Sequence, residues 1–178
     1  MKILAIIFDG FEEEEAMAPF AILKRVGANL TIASTKSVVK GNHDIYLSNV
    51  TPLDEINYKD YDCLLVPGGP HYVFLRESKY VHEMINYFFN ENKIVCGICA
   101  APTIFGMLGH LKGKNYTCFT SMDDDFGGTY HDDGVVVDGN LITSRSVAYS
   151  LDFAYAIVKK TMGDAVLKAL WTRIYYEE

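Results

Sequence analysis

What most constrains the fold of this chain is an alternation: short apolar runs of strand length are separated by longer stretches whose apolar residues recur every three or four positions. Strands that alternate with helices in this way form a parallel sheet covered by helices on both faces. Lys2 to Phe8 is predicted as the first strand, Glu12 to Val26 as a helix closed by Gly27, and Asn29 to Ala33 as the second strand. Gly27 suits a helix C-terminus because a residue without Cβ enters the left-handed region at no steric cost. Gly41 to Val50 reads as an extended excursion, and Tyr61 to Val66 as a buried strand running into the non-helical turn Pro67-Gly68-Gly69-Pro70. From Ser78 to Asn92, Val81, Met84, Ile85, Phe88 and Phe89 share one helical face, which makes them a core stripe. Lys93 to Ile98 is the next strand, and residues 100 to 108 form a helix that tolerates Pro102 in its first turn. A hairpin over Val135 to Thr143 turns at Asp138-Gly139, and a helix from Val147 to Met162 closes the domain.

With 178 residues and 49% of them hydrophobic, the chain has the size and apolar content of one domain, 1–178, and it shows no repeat, linker or low-complexity segment. No run approaches the roughly 18 apolar residues of a membrane span. The apolar start, Met1 to Phe8, stops at Asp9-Gly10 before four glutamates, so it reads as a core strand and not as a secretory signal. A net charge of −7 without clustered Lys or Arg excludes a nucleic-acid partner. Cys63, Cys96, Cys99 and Cys118 lack the spacing of a disulfide framework, which points to free thiols and a cytoplasmic location.

The chemistry concentrates at Gly97-Ile98-Cys99-Ala100-Ala101, where small residues flank a cysteine at a strand-to-helix transition. This is the form of a nucleophile elbow, with sulfur in place of the serine oxygen. The helix N-terminus behind the sulfur favours an anion and is expected to lower the thiol pKa below its ordinary value of about 8.5. Gly68-Gly69 lies at the carboxyl end of a neighbouring strand, where open α/β sheets hold ligands. Its Gly69 amide is expected to form an oxyanion hole with the amide of Ala100. Glu12-Glu13-Glu14-Glu15 starts the first helix, where the macrodipole favours acids. Pro19 frees the Glu15 carbonyl, and an irregular turn there is expected to point Glu15 inward. Cys96-Gly97-Ile98-Cys99 is formally Cys-x-x-Cys, but Cys96 lies inside the strand, which disfavours a dithiol oxidoreductase. Arg145, just past the hairpin, is a further candidate for meeting an anionic group of substrate or product.

Four segments, in order, resemble the ThiJ/PfpI superfamily, in the branch of the parkinsonism-associated protein deglycase and its bacterial relatives. They are Gly10-Phe11-Glu12-Glu13-Glu14-Glu15, Leu65-Val66-Pro67-Gly68-Gly69, Ile98-Cys99-Ala100-Ala101-Pro102, and Leu141-Ile142-Thr143-Ser144-Arg145 leading into Phe153 to Val158. The resemblance implies a flavodoxin-like α/β/α sandwich of the class I glutamine amidotransferase-like type, homodimeric, with no cofactor. It implies Cys99 as oxidisable nucleophile, Glu15 as the carboxyl touching its sulfur, and a small aldehyde such as methylglyoxal as substrate. It also implies glyoxalase or deglycase activity, or a role as oxidative-stress sensor or chaperone. Two departures matter. Ala100 stands where protease-like members carry a histidine, and Phe119 stands where the deglycase branch often carries a pocket histidine. His71 and His131 are left as histidines able to approach the site from other loops, with a solvated surface position expected for each.

Overall fold

Along the first strand, alternate side chains face opposite sides of the sheet, and both sets are apolar. Ile3 and Ala5 pack into one core, and Leu4 and Ile6 into the other. A strand buried on both faces carries such an uninterrupted apolar run. The computed structural model describes residues 1–176. In chain order its elements are β1 (Lys2–Ile6), α1 (Glu13–Arg25), β2 (Asn29–Ser34), β3 (Val38–Lys40), β4 (Tyr46–Ser48), β5 (Thr51–Pro52), β6 (Cys63–Val66), α2 (Tyr72–Glu77) and α3 (Lys79–Asn90). They continue with β7 (Ile94–Ile98), α4 (Ala101–Met107), β8 (Asn115–Tyr116), β9 (Thr129–Tyr130), β10 (Val135–Asp138), β11 (Leu141–Ser144), α5 (Ser150–Met162) and α6 (Asp164–Ile174).

Among the described residues the main sheet has seven strands in the order β10-β11-β7-β6-β1-β2-β5. Every pair is parallel except β10 with β11. From β1 the chain crosses first to β2 on one side and later to β6 on the other. The strand order therefore reverses between β1 and β6, and their carboxyl ends flank the crevice where doubly wound sheets place ligands. On one face, α1 and α5 cover a core containing Leu23, Leu65, Ile98, Phe153 and Ile157. On the other, α3 and α4 bring Met84, Phe88 and Phe105 against Leu64, Val66 and Val95. Each fully buried side chain of this size stabilises the fold by about 1.5–3 kcal/mol.

The α/β reading and most elements hold. The Ser78 side chain accepts a hydrogen bond from Val81 N–H at the start of α3, and Gly27, at φ +76°, follows the end of α1. The excursion after β2 is a hairpin, β3 with β4, rather than a simple extended segment. The β10–β11 loop is one residue later than expected. Asp138 pairs with Leu141, so Gly139-Asn140 make the turn, with Gly139 at φ +59°. Four elements escaped the sequence reading: the edge strand β5, the short helix α2, the strand β9, and α6, so the helix ending at Met162 does not close the domain. Of Tyr116 to Phe119, only Tyr116 lies in a strand, paired with Tyr130 of β9. All four cysteines are free thiols, and among the described residues no helix is long and apolar enough to cross a membrane.

The β3–β4 hairpin docks on α1 through a buried carboxylate. Glu13 accepts hydrogen bonds from the amides of His43 at 2.6 Å and Ile45 at 3.3 Å, and its second oxygen lies 3.0 Å from His43 Nδ1. Burial alone would raise the Glu13 pKa, but hydrogen bonds from its own amide, from His43 and from Ile45 outweigh it and hold the carboxyl below its ordinary value. Gly41 must be glycine here, since a Cβ would fall 2.2 Å from the Glu13 carboxylate. Glu13→Gln puts a donor amide against these donors and is expected to cost about 1–3 kcal/mol. The stabilisation lost is the part present above the unfolded carboxyl pKa and absent in acid. Urea midpoints of the two proteins at pH 7 and pH 3 check this, with the gap expected to narrow at pH 3.

Candidate functional site

The site is assembled from three turns at the carboxyl edge of the sheet, following β1, β6 and β7. Cys99 ends β7 at φ +63°, a left-handed conformation that costs a non-glycine residue of order 1 kcal/mol or more. Two backbone hydrogen bonds hold it there: Cys99 N–H donates to Ser144 O at 2.9 Å, and Phe119 N–H donates to Cys99 O at 2.8 Å. The kink lifts Sγ off the strand onto the start of α4, where Pro102 occupies the first turn. The residue is half-buried.

Glu15 reaches the sulfur from the first turn of α1 and is 1% exposed. Its carboxyl hydrogen-bonds Cys99 and accepts from Gly68 N–H at 3.1 Å through Oε2. Pro19 does not produce this arrangement, since α1 runs from Glu13 to Arg25 with Pro19 inside it. The start of the helix is instead fixed by Glu12 N–H donating to Gly68 O at 2.9 Å, which brings the first turn over the end of β6. Two glycines make that approach possible. A Cβ on Gly68 would lie 2.5 Å from Glu15 Oε2 and 2.6 Å from Cys99 Cβ. On Gly69, at φ +98°, a Cβ would meet Glu12 N at 2.4 Å.

The amides of Ala100 and Gly69 point at the sulfur itself and favour its anion. They are brought together as expected, but around Sγ. Gly68, expected beside substrate, gives its amide to Glu15 instead. The expectation of a simply lowered thiol pKa is also corrected. Burial, then the charge and hydrogen bond of Glu15, push the thiol well above its ordinary value, outweighing the two amides. Burial raises Glu15 in turn to about 7, assisted by the charges of Glu12 and Glu14 and opposed by its bonds to Cys99 and Gly68. Two negative charges cannot share this space, so the pair releases one proton near neutrality and keeps the other between carboxyl and sulfur. A thiolate exists in the form in which Glu15 carries that proton.

His71 is 2% exposed, not solvated, and escaped the sequence reading as a site residue. Its Nδ1 accepts from Phe8 N–H at 3.2 Å, so Nε2 bears the hydrogen and donates to Pro67 O at 2.8 Å. Burial holds its pKa down to about 4, and the neutral ring braces the Pro67-Gly68-Gly69 turn from below. Nothing in the local sequence marks a histidine after Pro70 as a buried strut. His131 stays away, its Nε2 bonded to Asn115 Oδ1 at 2.7 Å. The Arg145 guanidinium is engaged by Thr120 Oγ1 at 3.2 Å and Asp132 Oδ1 at 2.8 Å, so it ties two loops together beside the site. Cys96 contacts Cys63, sulfur to sulfur at 3.7 Å, and both are buried, against the dithiol reading.

Above Cys99 opens a pocket of about 270 Å³ between Gly69-Pro70, Tyr72 and Val73 of α2, and Phe119 and Met122. A larger cavity, lined by Phe8, Leu53, Phe74 and Tyr80, does not reach the sulfur. Glu12, Glu13 and His43 present ligand atoms within 4.8 Å of one another, a spacing that suits a divalent cation. Their carboxylates are paired with His43 and the hairpin amides, so the cluster serves as the hairpin's dock.

Known proteins resemble this chain over most of its length. The model of the DJ-1/PfpI family matches residues 1–160. "Protein DJ-1 homolog B" of Arabidopsis thaliana is 38% identical over 168 residues, 91% of this chain, although the chain spans only 38% of that plant protein's length. "Deglycase PfpI" of Pyrococcus furiosus is 36% identical over 149 residues, covering 82% of this chain and 90% of its own. The crystal structure of Drosophila melanogaster DJ-1beta superposes with a TM-score of 0.91 at 28% identity, over 100% of both chains. By sequence and by fold, the chain belongs to the DJ-1/PfpI family.

Proposed function

We propose that the protein is a cofactor-independent, cysteine-dependent glyoxalase or deglycase acting on small 2-oxoaldehydes such as methylglyoxal. The observation that carries this reading is the buried Glu15 carboxyl hydrogen-bonded to Cys99 while two amides face the same sulfur. Relatives named deglycases, in Pyrococcus furiosus, Pyrococcus abyssi and Thermococcus kodakarensis, support the class of reaction.

In the one-proton form of the pair, Sγ attacks the aldehyde carbon and the carbonyl π electrons move to oxygen. The amides of Gly69 and Ala100 hold the charge as it leaves sulfur, and Glu15 protonates the new alkoxide. The resulting Glu15 carboxylate then takes the C1 proton and returns it to C2, while the proton of the C1 hydroxyl passes to the C2 oxygen through the enediol. This transfer oxidises the aldehyde carbon to a thioester while reducing the ketone to an alcohol. Water cleaves the thioester, releases the 2-hydroxy acid and restores the shared proton. Ala100 puts no histidine next to the nucleophile, which disfavours peptidase chemistry.

The same geometry favours a second reading, a peroxide sensor or protective chaperone. Stepwise oxidation by two peroxides would convert Cys99 to a sulfinic acid, with Glu15 and the two amides placed to hold the oxygens. Intact-mass analysis after mild peroxide is expected to show 32 Da added to Cys99 alone. A thiol that resists oxidation would retire this reading.

For the enzymatic reading, native protein is expected to form lactate from methylglyoxal without glutathione, and Cys99→Ser to lose at least about a thousandfold in kcat/KM, the scale of removing a covalent nucleophile. Equal inactivity of both proteins would sink it. The limb of kcat/KM on the acid side is expected at about pH 7, since the fully protonated pair has no nucleophile. Stability should run the other way. Glu15 titrates higher folded than unfolded, so its effect on stability worsens as pH rises from its ordinary value of 4.5 to about 7. The loss is of order 3 kcal/mol. Urea midpoints of native protein should fall between pH 5 and pH 8, while those of Glu15→Gln stay nearly flat.

A further inference from the structure

We propose that the opening above Cys99 is a subsite for an apolar substituent, and that Phe119 makes the protein selective for aryl 2-oxoaldehydes over methylglyoxal. The inference rests on the glyoxalase reading for the reaction, and on the pocket alone for the preference.

The polar groups around Cys99 named so far are committed. The Gly69 and Ala100 amides face Sγ, the Gly68 amide holds Glu15, and Arg145 is engaged by Thr120 and Asp132. What remains exposed in the pocket is apolar throughout. Phe119 and Val73 keep 44% and 51% of their surface in contact with solvent, so an apolar ligand group seated there removes part of that surface from water. The main chain that carries Phe119 is fixed. Its amide donates to Cys99 O at 2.8 Å and its carbonyl accepts from Met122 N–H at 3.0 Å, which fixes the ring's root to the elbow that bears the sulfur. Asp123-Asp124-Asp125, following directly on Met122, disfavours a carboxylate on the substituent.

The reaction leaves the substituent R untouched: RCO–CHO plus water gives RCH(OH)–COOH. Binding of R beside Phe119 therefore adds to kcat/KM without entering the chemistry. A hydrophobic pocket discriminates by about tenfold or more for each methylene-sized group it fills. Phenyl in place of methyl is expected to raise kcat/KM by at least about tenfold.

The test compares mandelate formation from phenylglyoxal with lactate formation from methylglyoxal in native protein, Phe119→Ala and Phe119→Leu. The native ratio should exceed about ten, fall to within about threefold in Phe119→Ala, and be largely retained in Phe119→Leu. A second measurement needs no turnover. The rates at which phenacyl chloride and chloroacetone alkylate Cys99, read by intact mass and normalised to their rates with glutathione, report the pocket's preference directly. A normalised preference for phenacyl chloride that Phe119→Ala abolishes supports the subsite. A ratio equal to that of glutathione, or one unchanged in Phe119→Ala, overturns it. Absence of both hydroxy acids with the alkylation preference intact would retire the glyoxalase reading and leave the subsite standing.

Discussion

A carboxyl group buried with no cation against it is the constraint around which the rest of this site is arranged. Among the described residues no ion pair involves Glu15, and its partners are the Gly68 amide and the Cys99 thiol. An isolated ionised carboxylate in such a place would be too costly to keep, so the group holds a proton to about neutral pH or shares one with sulfur. That requirement couples the two residues. Whatever charge one takes, the other must give up, and a chemical cycle that moves a single proton between them never builds two charges in the same space.

The sheet topology makes the coupling possible. Glu15 follows β1, Gly68-Gly69 follows β6 and Cys99 follows β7, and these three strands lie side by side in the order β7-β6-β1. The β6 turn sits in the middle and touches both neighbours: Gly68 O receives the Glu12 amide, Gly68 N–H serves Glu15, and the Gly69 amide faces Sγ. His71 fixes that turn from inside through Pro67 O, and it does so as a neutral ring whose tautomer is set by Phe8 N–H. A charged imidazolium there would have lost the acceptor that Phe8 needs. Burial keeps the ring neutral, and only the neutral ring can accept from Phe8 while donating to Pro67.

The sequence made the strands, the long helices and the elbow legible because each is a local pattern. Period-two and period-3.6 hydrophobicity, Gly27 after a helix, and small residues around Cys99 need no distant partner to be recognised. Glu15 was reachable as a candidate but for a different reason: its inward direction comes from the bond between Glu12 and Gly68, 56 positions along the chain, and not from Pro19. His71 could not be read as buried, because its burial depends on Phe8 and Pro67 converging on it from two strands. The same limit applies to Arg145, whose partners Thr120 and Asp132 sit in loops with no periodic signal. The hairpin β3–β4 is too short for a clear period, and α2 too short to show a stripe.

The positive φ of Cys99 shows how a local strain is tied to chemistry rather than merely tolerated. A β-region residue at this position would continue β7 and direct its side chain to the sheet face of Gly97 and Val95, where Val95 is fully buried. The left-handed turn instead ends the strand and hands Sγ to the amides of Gly69 and Ala100. Its cost is offset by bonds from both sides of the residue, to Ser144 in β11 and from Phe119. Those bonds belong to the sheet edge and to the loop that supplies the pocket wall. The contacts that hold the nucleophile in its strained shape thus also set where the ring of Phe119 begins, so the geometry of attack and the shape of the opening cannot vary independently.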